Sequence, residues 1–303
     1  MIGKITEIQR SSFQDGPGIR STIFFKGCNM RCIWCHNPET FVSDEQIRFI
    51  ETKCINCGHC YKVCPTGALK YEDGIRTYDE SICIKCYACI DACYPGALVI
   101  SGKDMSVRDV IAQVMQDKPY YDNSGGGITI TGGEPFMQRD FLMELVDACK
   151  ANDLHVGIET NMSYEWAVME PILKKIDLVM LDIKHMDDTI HKKYTGVTNR
   201  NVLENIRKLD KLGKPFIVRT PLIPNINDSK ENLIAIAEFL SGFDNLQYYE
   251  LLNYNPLAQS KFEQLSKPYL LSNAKHMPKK ELSILKQNIE DAVPSIDLRV
   301  QEG

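Results

Sequence analysis

A chain of 303 residues, 44 % hydrophobic and 25 % charged, has a globular composition and enough length to bury a substantial core. Its formal net charge of -5 gives no electrostatic basis for binding nucleic acid, and no run approaches the roughly 18 apolar residues of a membrane span. The start, MIGKITEIQR, lacks the apolar stretch of a signal peptide, so the chain reads as cytosolic with no membrane partner. Twelve cysteines in such a chain point to metal or redox chemistry, and eleven of them fall between Cys28 and Cys93.

Residues 2–9 and 21–25 read as strands, the second β-branched and aromatic. Between them Asp15-Gly16-Pro17-Gly18 has the chemistry of a tight turn. The loop from Gly27 to Glu39 then sets Cys28, Cys32 and Cys35 at CxxxCxxC spacing, with Trp34 directly before the last. Three thiolates can hold three irons of a cubane cluster, where an electron-transfer cluster takes four, so one iron is left open for a substrate. A zinc knuckle is the competing reading of the loop alone.

From about residue 45 to residue 103 the composition changes. Cys54, Cys57, Cys60 and Cys64 follow C-x2-C-x2-C-x3-C with Pro65 next, and Cys83, Cys86, Cys89 and Cys93 repeat the spacing. This is the two-cluster bacterial ferredoxin pattern, in which the fourth cysteine of each run serves the other cluster. The expected sets are Cys54, Cys57, Cys60, Cys93 and Cys83, Cys86, Cys89, Cys64. Flanking segments Pro65–Tyr71 and Pro95–Ile100 are near copies, so the segment is an internal duplication. Tyr94 separates Cys93 from Pro95, a departure that leaves the ligand spacings intact.

Beyond this segment helix and strand alternate. Val107, Val110, Ile111 and Val114 mark a helix, and a strand over 128–131 runs into Gly132-Gly133-Glu134-Pro135. Phe141, Leu145 and Cys149 mark the next helix, with Cys149 a core residue. Strands over 155–158, 178–181, 216–218 and 247–252 follow, with helices around Ile206, Ala237 and Leu285. Six βα units predict an α/β fold with a parallel sheet, a partial (β/α)6 TIM-like barrel. The expected division is a barrel from 1–44 and 104–303, with 45–103 inserted. Loops after barrel strands share one face, so the Cys loop, Gly132-Gly133-Glu134-Pro135, Glu159-Thr160-Asn161, Asp182-Ile183-Lys184 and Arg219 should converge.

The loop signature, with DGPGIR (Asp15 to Arg20), FFKGC (Phe24 to Cys28) and CHNPET (Cys35 to Thr40), resembles the activating enzymes of glycyl radical enzymes. These belong to the radical S-adenosylmethionine superfamily, and the pyruvate formate-lyase activase group is similar through most of the chain outside the insert. The resemblance implies that Cys28, Cys32 and Cys35 hold a catalytic 4Fe-4S cluster, with two more clusters in the insert. The open iron takes the amine and carboxylate of S-adenosylmethionine; Gly132, Gly133 and Glu134 hold its amino group, while Lys184 and Arg219 contact the carboxylate. A surface ion pair is the plainer reading of either cation. It further implies a monovalent cation bound through Glu159, Thr160, Met180 and Asp182, although Glu159 replaces an aspartate, and Asn255 replaces a cofactor-contacting histidine. Asp15 and Gly16 would approach the partner's glycine loop.

The implied reaction is reductive cleavage of S-adenosylmethionine, followed by abstraction of a glycine Cα hydrogen on a partner dehydratase, decarboxylase or lyase. Flavodoxin or ferredoxin would donate electrons to a monomeric enzyme, the insert serving as relay or as structural and docking element. Two other functions compete: radical chemistry on a small molecule or peptide, and an electron-carrying ferredoxin fused to a structural barrel. DGPGIR with CHNPET argues against the first, and the separate Cys28, Cys32 and Cys35 against the second.

Overall fold

The computed structural model describes residues 1–72 and 75–301. In chain order its strands are β1 (Ile2–Ser12), β2 (Arg20–Phe25), β3 (Gln46–Phe49), β4 (Leu69–Glu72), β5 (Ile75–Tyr78), β6 (Leu98–Ser101), β7 (Lys103–Ser106), β8 (Gly127–Gly132), β9 (Val156–Thr160), β10 (Leu178–Asp182), β11 (Phe216–Leu222), β12 (Leu246–Asn253) and β13 (Leu298–Gln301). Nine form one sheet in the order β13-β12-β11-β10-β9-β8-β2-β1-β7.

From β2 to β13 every pairing is parallel. Ile128, Ile130, Val156, Ile158, Val179 and Val218 are fully buried, as expected where helices cover a parallel sheet and strands read as near-continuous apolar runs. Helices Val107–Val114, Arg139–Ala151, Arg200–Lys211, Lys230–Leu240 and Lys279–Ala292 carry the anticipated apolar stripes. The first is fixed by a capping box: Ser106 accepts from the Asp109 N–H, and Asp109 accepts from the Ser106 N–H. Cys149 is fully buried, as expected of a core residue.

The sheet differs from six parallel units at both ends. A further parallel strand, β13, was too short to register as a pattern, and β1 and β7 run antiparallel at the other edge. The sheet is open, with β13 and β7 at its ends. Helices Lys118–Ser124, Trp166–Leu173 and Asp188–Thr195 also went unanticipated. Two of them contain a proline, Pro119 and Pro171, which masks a helical pattern. No helix among the described residues is long and apolar enough to cross a membrane.

Between β2 and β7 the chain builds two small antiparallel sheets, β3-β6 and β4-β5, around a separate core of Ile47, Leu69, Cys89 and Leu98. The duplication is visible in the backbone. Asn56 and Lys85 both have positive φ, 54° and 53°, and so do Gly58 and Tyr87, at 75° and 60°. In each half this turn directs a backbone N–H onto a sulfur: Asn56 N to Cys54 Sγ and Lys85 N to Cys83 Sγ, both 3.4 Å. Lys103, expected to close this segment, instead begins β7 and pairs with Ile5 in the large sheet. The expected spans 45–103 and 104–303 include residues 73, 74, 302 and 303, which lie outside the described residues.

Candidate active site

β2 ends at Phe25, and the chain turns into the three-cysteine loop against two neighbouring segments. Arg31 N–H donates to Thr195 O at 2.7 Å and Ile33 N–H to Tyr194 O at 3.2 Å. The buried Lys26 ammonium donates to Glu39 O, and Lys261 holds Asn37 Oδ1 at 2.7 Å and Glu39 Oε1 at 2.9 Å. Met30 N–H points to Cys28 Sγ at 3.4 Å and Asn37 N–H to Cys35 Sγ at 3.3 Å. Backbone N–H groups aimed at sulfur are among the features that tune Fe–S clusters.

Cys28, Cys32, Trp34 and Cys35 line a cavity of about 320 Å³, within the roughly 300–1,000 Å³ of small-molecule sites. The strand ends supply the rest of the wall: Gly132 at the end of β8 and Gly133 after it, Glu159 and Thr160 from β9, Asp182 at the end of β10 and Lys184 beyond it, and Arg219 within β11. Gly132 has φ +111°, and a Cβ on Gly133 would stand 2.0 Å from Gly27 O. Only glycines permit this docking, which is sealed by Gly133 N–H to Phe25 O at 2.9 Å and Glu134 N–H to Gly27 O at 2.8 Å.

Two cation–carboxylate pairs face the cavity. Lys184 Nζ bonds Asp182 Oδ2. Burial acts to lower the Lys184 ammonium, but Asp182 and the neighbouring Cys32 and Cys28 outweigh it and raise its pKa. Arg219 bonds Glu159 Oε1 at 2.7 Å and Glu250 Oε2 at 3.1 Å; these carboxylates likewise hold it above its ordinary value against burial. Neither cation is a loose surface pair.

Glu134, Asp15 and Gly16 are not part of this wall. The Glu134 carboxylate is fully buried and accepts from Thr160 Oγ1 at 2.9 Å, Asn161 N–H at 2.7 Å and Phe136 N–H at 3.2 Å. It clamps the β9 loop, and burial pushes it up to about 7. The Asp15 carboxylate is taken by Ser12 Oγ at 2.6 Å and Thr22 Oγ1 at 2.5 Å. Gly16 lines an adjoining cavity of about 270 Å³ that shares Arg219 with the first. Arg20 of the same motif is wholly buried and donates to Thr129 Oγ1 at 2.7 Å and to Ile128 O, pinning the turn.

Asn161, expected among the converging strand ends, lines the cavity too, as do His36 and Tyr254, to which sequence reasoning gave no role. Asn161 donates to Asn29 Oδ1 at 2.9 Å, and His36 Nε2–H donates to Asn255 O at 3.0 Å. A lone His36 or Tyr254 carried no such signal. In the duplicated segment, Cys64, Cys83, Cys86 and Cys89 line one small cavity of about 10 Å³ together with Ile47. Cys60, Cys64, Cys83 and Cys93 pack around the small core. None of the twelve cysteines forms a disulfide.

The radical SAM superfamily pattern matches residues 22–239. The chain belongs to the radical SAM superfamily. It is 38 % identical to the (2S)-3-sulfopropanediol dehydratase activating enzyme of Klebsiella oxytoca, over 90 % of this chain and 88 % of that one. Identity to the trans-4-hydroxy-L-proline dehydratase activating enzyme of Clostridioides difficile is 39 %, over 88 % of each chain. Streptococcus suis SuiB bound to the precursor peptide SuiA shares the fold, with a TM-score of 0.52 at 18 % identity over 66 % of this chain and 43 % of that one. Within the superfamily the chain is a radical SAM oxidoreductase of the glycyl radical enzyme activase type.

Membership in the radical SAM superfamily implies a 4Fe-4S cluster and S-adenosylmethionine. The thiols fit the cluster: burial pushes Cys28 up to about 12 and raises Cys32 and Cys35 as well. Such a site disfavours bare thiolates and favours them once a metal shares their charge. A monovalent cation fits less well, because both Glu159 oxygens are engaged, by Arg219 and by Thr131 Oγ1 at 2.7 Å, and Asp182 is held by Lys184.

Proposed function

We propose that this radical SAM enzyme cleaves S-adenosylmethionine at Cys28, Cys32 and Cys35 and installs a glycyl radical on a partner of the dehydratase, decarboxylase or lyase class. The observation that carries it is the meeting of a three-cysteine loop with a polar strand-end wall in one cavity of about 320 Å³. Held by Cys28, Cys32 and Cys35, a reduced cluster would supply the one electron needed to break a carbon–sulfur bond of the sulfonium, and the cleaved adenosyl carbon would accept the glycine hydrogen.

The chain's own residues bind and orient. Gly132 and Gly133 let the backbone approach the amino group, and Lys184 and Arg219 match the carboxylate. Glu134 acts behind the wall, fixing Thr160 and Asn161. Trp34 is buried in the core, lines the cavity beside the cysteines and helps keep water from the loop. The partner's glycine loop enters beside Asp15 and Gly16, where Gln14 O accepts from Arg219 Nη2 at 3.1 Å. No step is routed through a monovalent cation, since Glu159 and Asp182 already carry protein cations.

Residues 45–101 we assign as an inserted ferredoxin-like domain on the partial barrel, holding two further 4Fe-4S clusters and passing electrons inward from flavodoxin or ferredoxin. Its fit rests on buried polar atoms. Arg76 Nε and Nη1 have no hydrogen-bond partner among the described residues and lie within electrostatic reach of Cys54, Cys60, Cys89 and Cys93. An anionic thiolate-bound cluster would supply what they lack. We take the enzyme to be a cytosolic monomer.

The test is electron paramagnetic resonance of the reconstituted, reduced protein with S-adenosylmethionine and each candidate glycyl radical enzyme. A glycyl doublet with one candidate is expected. Deoxyadenosine formed only with consumption of a small molecule, and no doublet with any candidate, overturns the reading.

A further inference from the structure

Among the buried places at which the two halves of the duplicated segment differ, one stands beside the cysteines. Cys54 and Cys83 lie 29 positions apart, as do Cys57 and Cys86, Cys60 and Cys89, and Cys64 and Cys93. The same offset relates the strands before each run: Ile47 in β3 corresponds to Arg76 in β5. Pairing partners correspond too, since Ile47 stands opposite Ile100 and Arg76 opposite Tyr71. Ile47 lines the small cavity with Cys64, Cys83, Cys86 and Cys89. In the other half an arginine takes that place.

Arg76 is set in position by packing. Its guanidinium carbon lies 3.5 Å from the centre of the Phe49 ring, and Nε and Nη1 are buried with no hydrogen-bond partner among the described residues. Charge at this position is felt by Cys60 and Cys54, then by Cys89 and Cys93. Three of these four belong to the set Cys54, Cys57, Cys60 and Cys93. Reduction of a cluster adds one negative charge, and a buried cation beside it stabilises that added charge.

We infer that Arg76 makes two clusters of duplicated origin inequivalent: it raises the reduction potential of the cluster on Cys54, Cys57, Cys60 and Cys93 above that of the cluster on Cys83, Cys86, Cys89 and Cys64. This rests on the two-cluster assignment of residues 45–101. One electron from a low-potential carrier protein settles first on the Arg76 side; the carrier is oxidised, the cluster is reduced and no bond forms or breaks. Arg76 touches no reacting atom and is a positioning residue for charge.

The experiment is a redox titration, followed by electron paramagnetic resonance, of the full chain carrying Cys28→Ala, Cys32→Ala and Cys35→Ala, so that only the insert clusters are read. Two separate steps are expected. Arg76→Gln should move the upper step to more negative potential by a tenfold or greater change in the reduced-to-oxidised ratio, about 59 mV for one electron; Arg76→Lys should leave it near its place. Iron retained with an unmoved step in Arg76→Gln overturns this inference alone. No iron in the triple-alanine chain overturns the two-cluster assignment with it. Should Arg76→Gln fail to load iron, Cys57→Ala and Cys86→Ala in the same background each leave one cluster with Arg76 intact. The cluster kept by Cys86→Ala must then titrate at the higher potential, and equal or reversed values overturn the inference.

Discussion

Cys28, Cys32 and Cys35 open onto a cavity of about 320 Å³ walled by Lys184, Arg219 and glycine backbone, whereas Cys64, Cys83, Cys86 and Cys89 enclose about 10 Å³ beside Ile47. Cysteine sulfur lines both regions. What differs is the number of cysteines and what stands opposite. On the proposed assignment, three thiolates before a charged, hollow wall would leave a metal position for a substrate, while four around a closed apolar pocket would leave none. On that assignment the open site is where chemistry would take place, and the closed one would suit electron storage and transfer.

Cys32→Ala should break the comparison most severely. Cleavage of S-adenosylmethionine falls to background while iron in the insert is retained, as checked by deoxyadenosine release and iron analysis. Cys86→Ala should do the reverse, keeping cleavage with a small chemical reductant but losing it with a protein donor.

A smaller effect tests the charged wall. Arg219→Ala leaves Glu159 and Glu250 without their shared cation, and should cost about 3–5 kcal/mol in denaturant unfolding. Its affinity for S-adenosylmethionine should fall as well, with the insert's iron content unchanged.

Glu134 sharpens the comparison through pH. It ionises at about 7 in the fold against an ordinary 4.5, so the folded state holds an extra proton between these values and stability falls as pH rises through them. Glu134→Gln removes that titration and should flatten stability between about pH 4.5 and 7, at a cost of about 1–3 kcal/mol for a displaced donor. A slope unchanged from the parent contradicts the assignment. The smallest change lies outside both regions. Ser106→Ala removes the cap of helix Val107–Val114 and should cost about 1 kcal/mol in thermal unfolding, leaving the reactions of both regions as they were.

The parallel sheet was legible because its strands are short, apolar and buried on both faces, and because the polar residues after them recur at strand ends. β13 was missed because four residues, Leu298 to Gln301, carry too little pattern to separate from a tail. The duplicated cysteine runs were legible from spacing alone; Arg76 was not, since its meaning depends on its alignment with Ile47 across two small sheets. Glu134 marks the limit of motif reading. Gly132, Gly133 and Glu134 are contiguous, yet the glycines reach the cavity while the carboxylate turns inward to Thr160 and Asn161.

The most direct test of one open cluster beside closed ones is to add S-adenosylmethionine to the reduced protein and follow the cluster signals by electron paramagnetic resonance. One signal should change on addition, the rest should not, and the change should vanish in Cys32→Ala while the unaffected signals persist. A change that survives in Cys32→Ala would contradict the account.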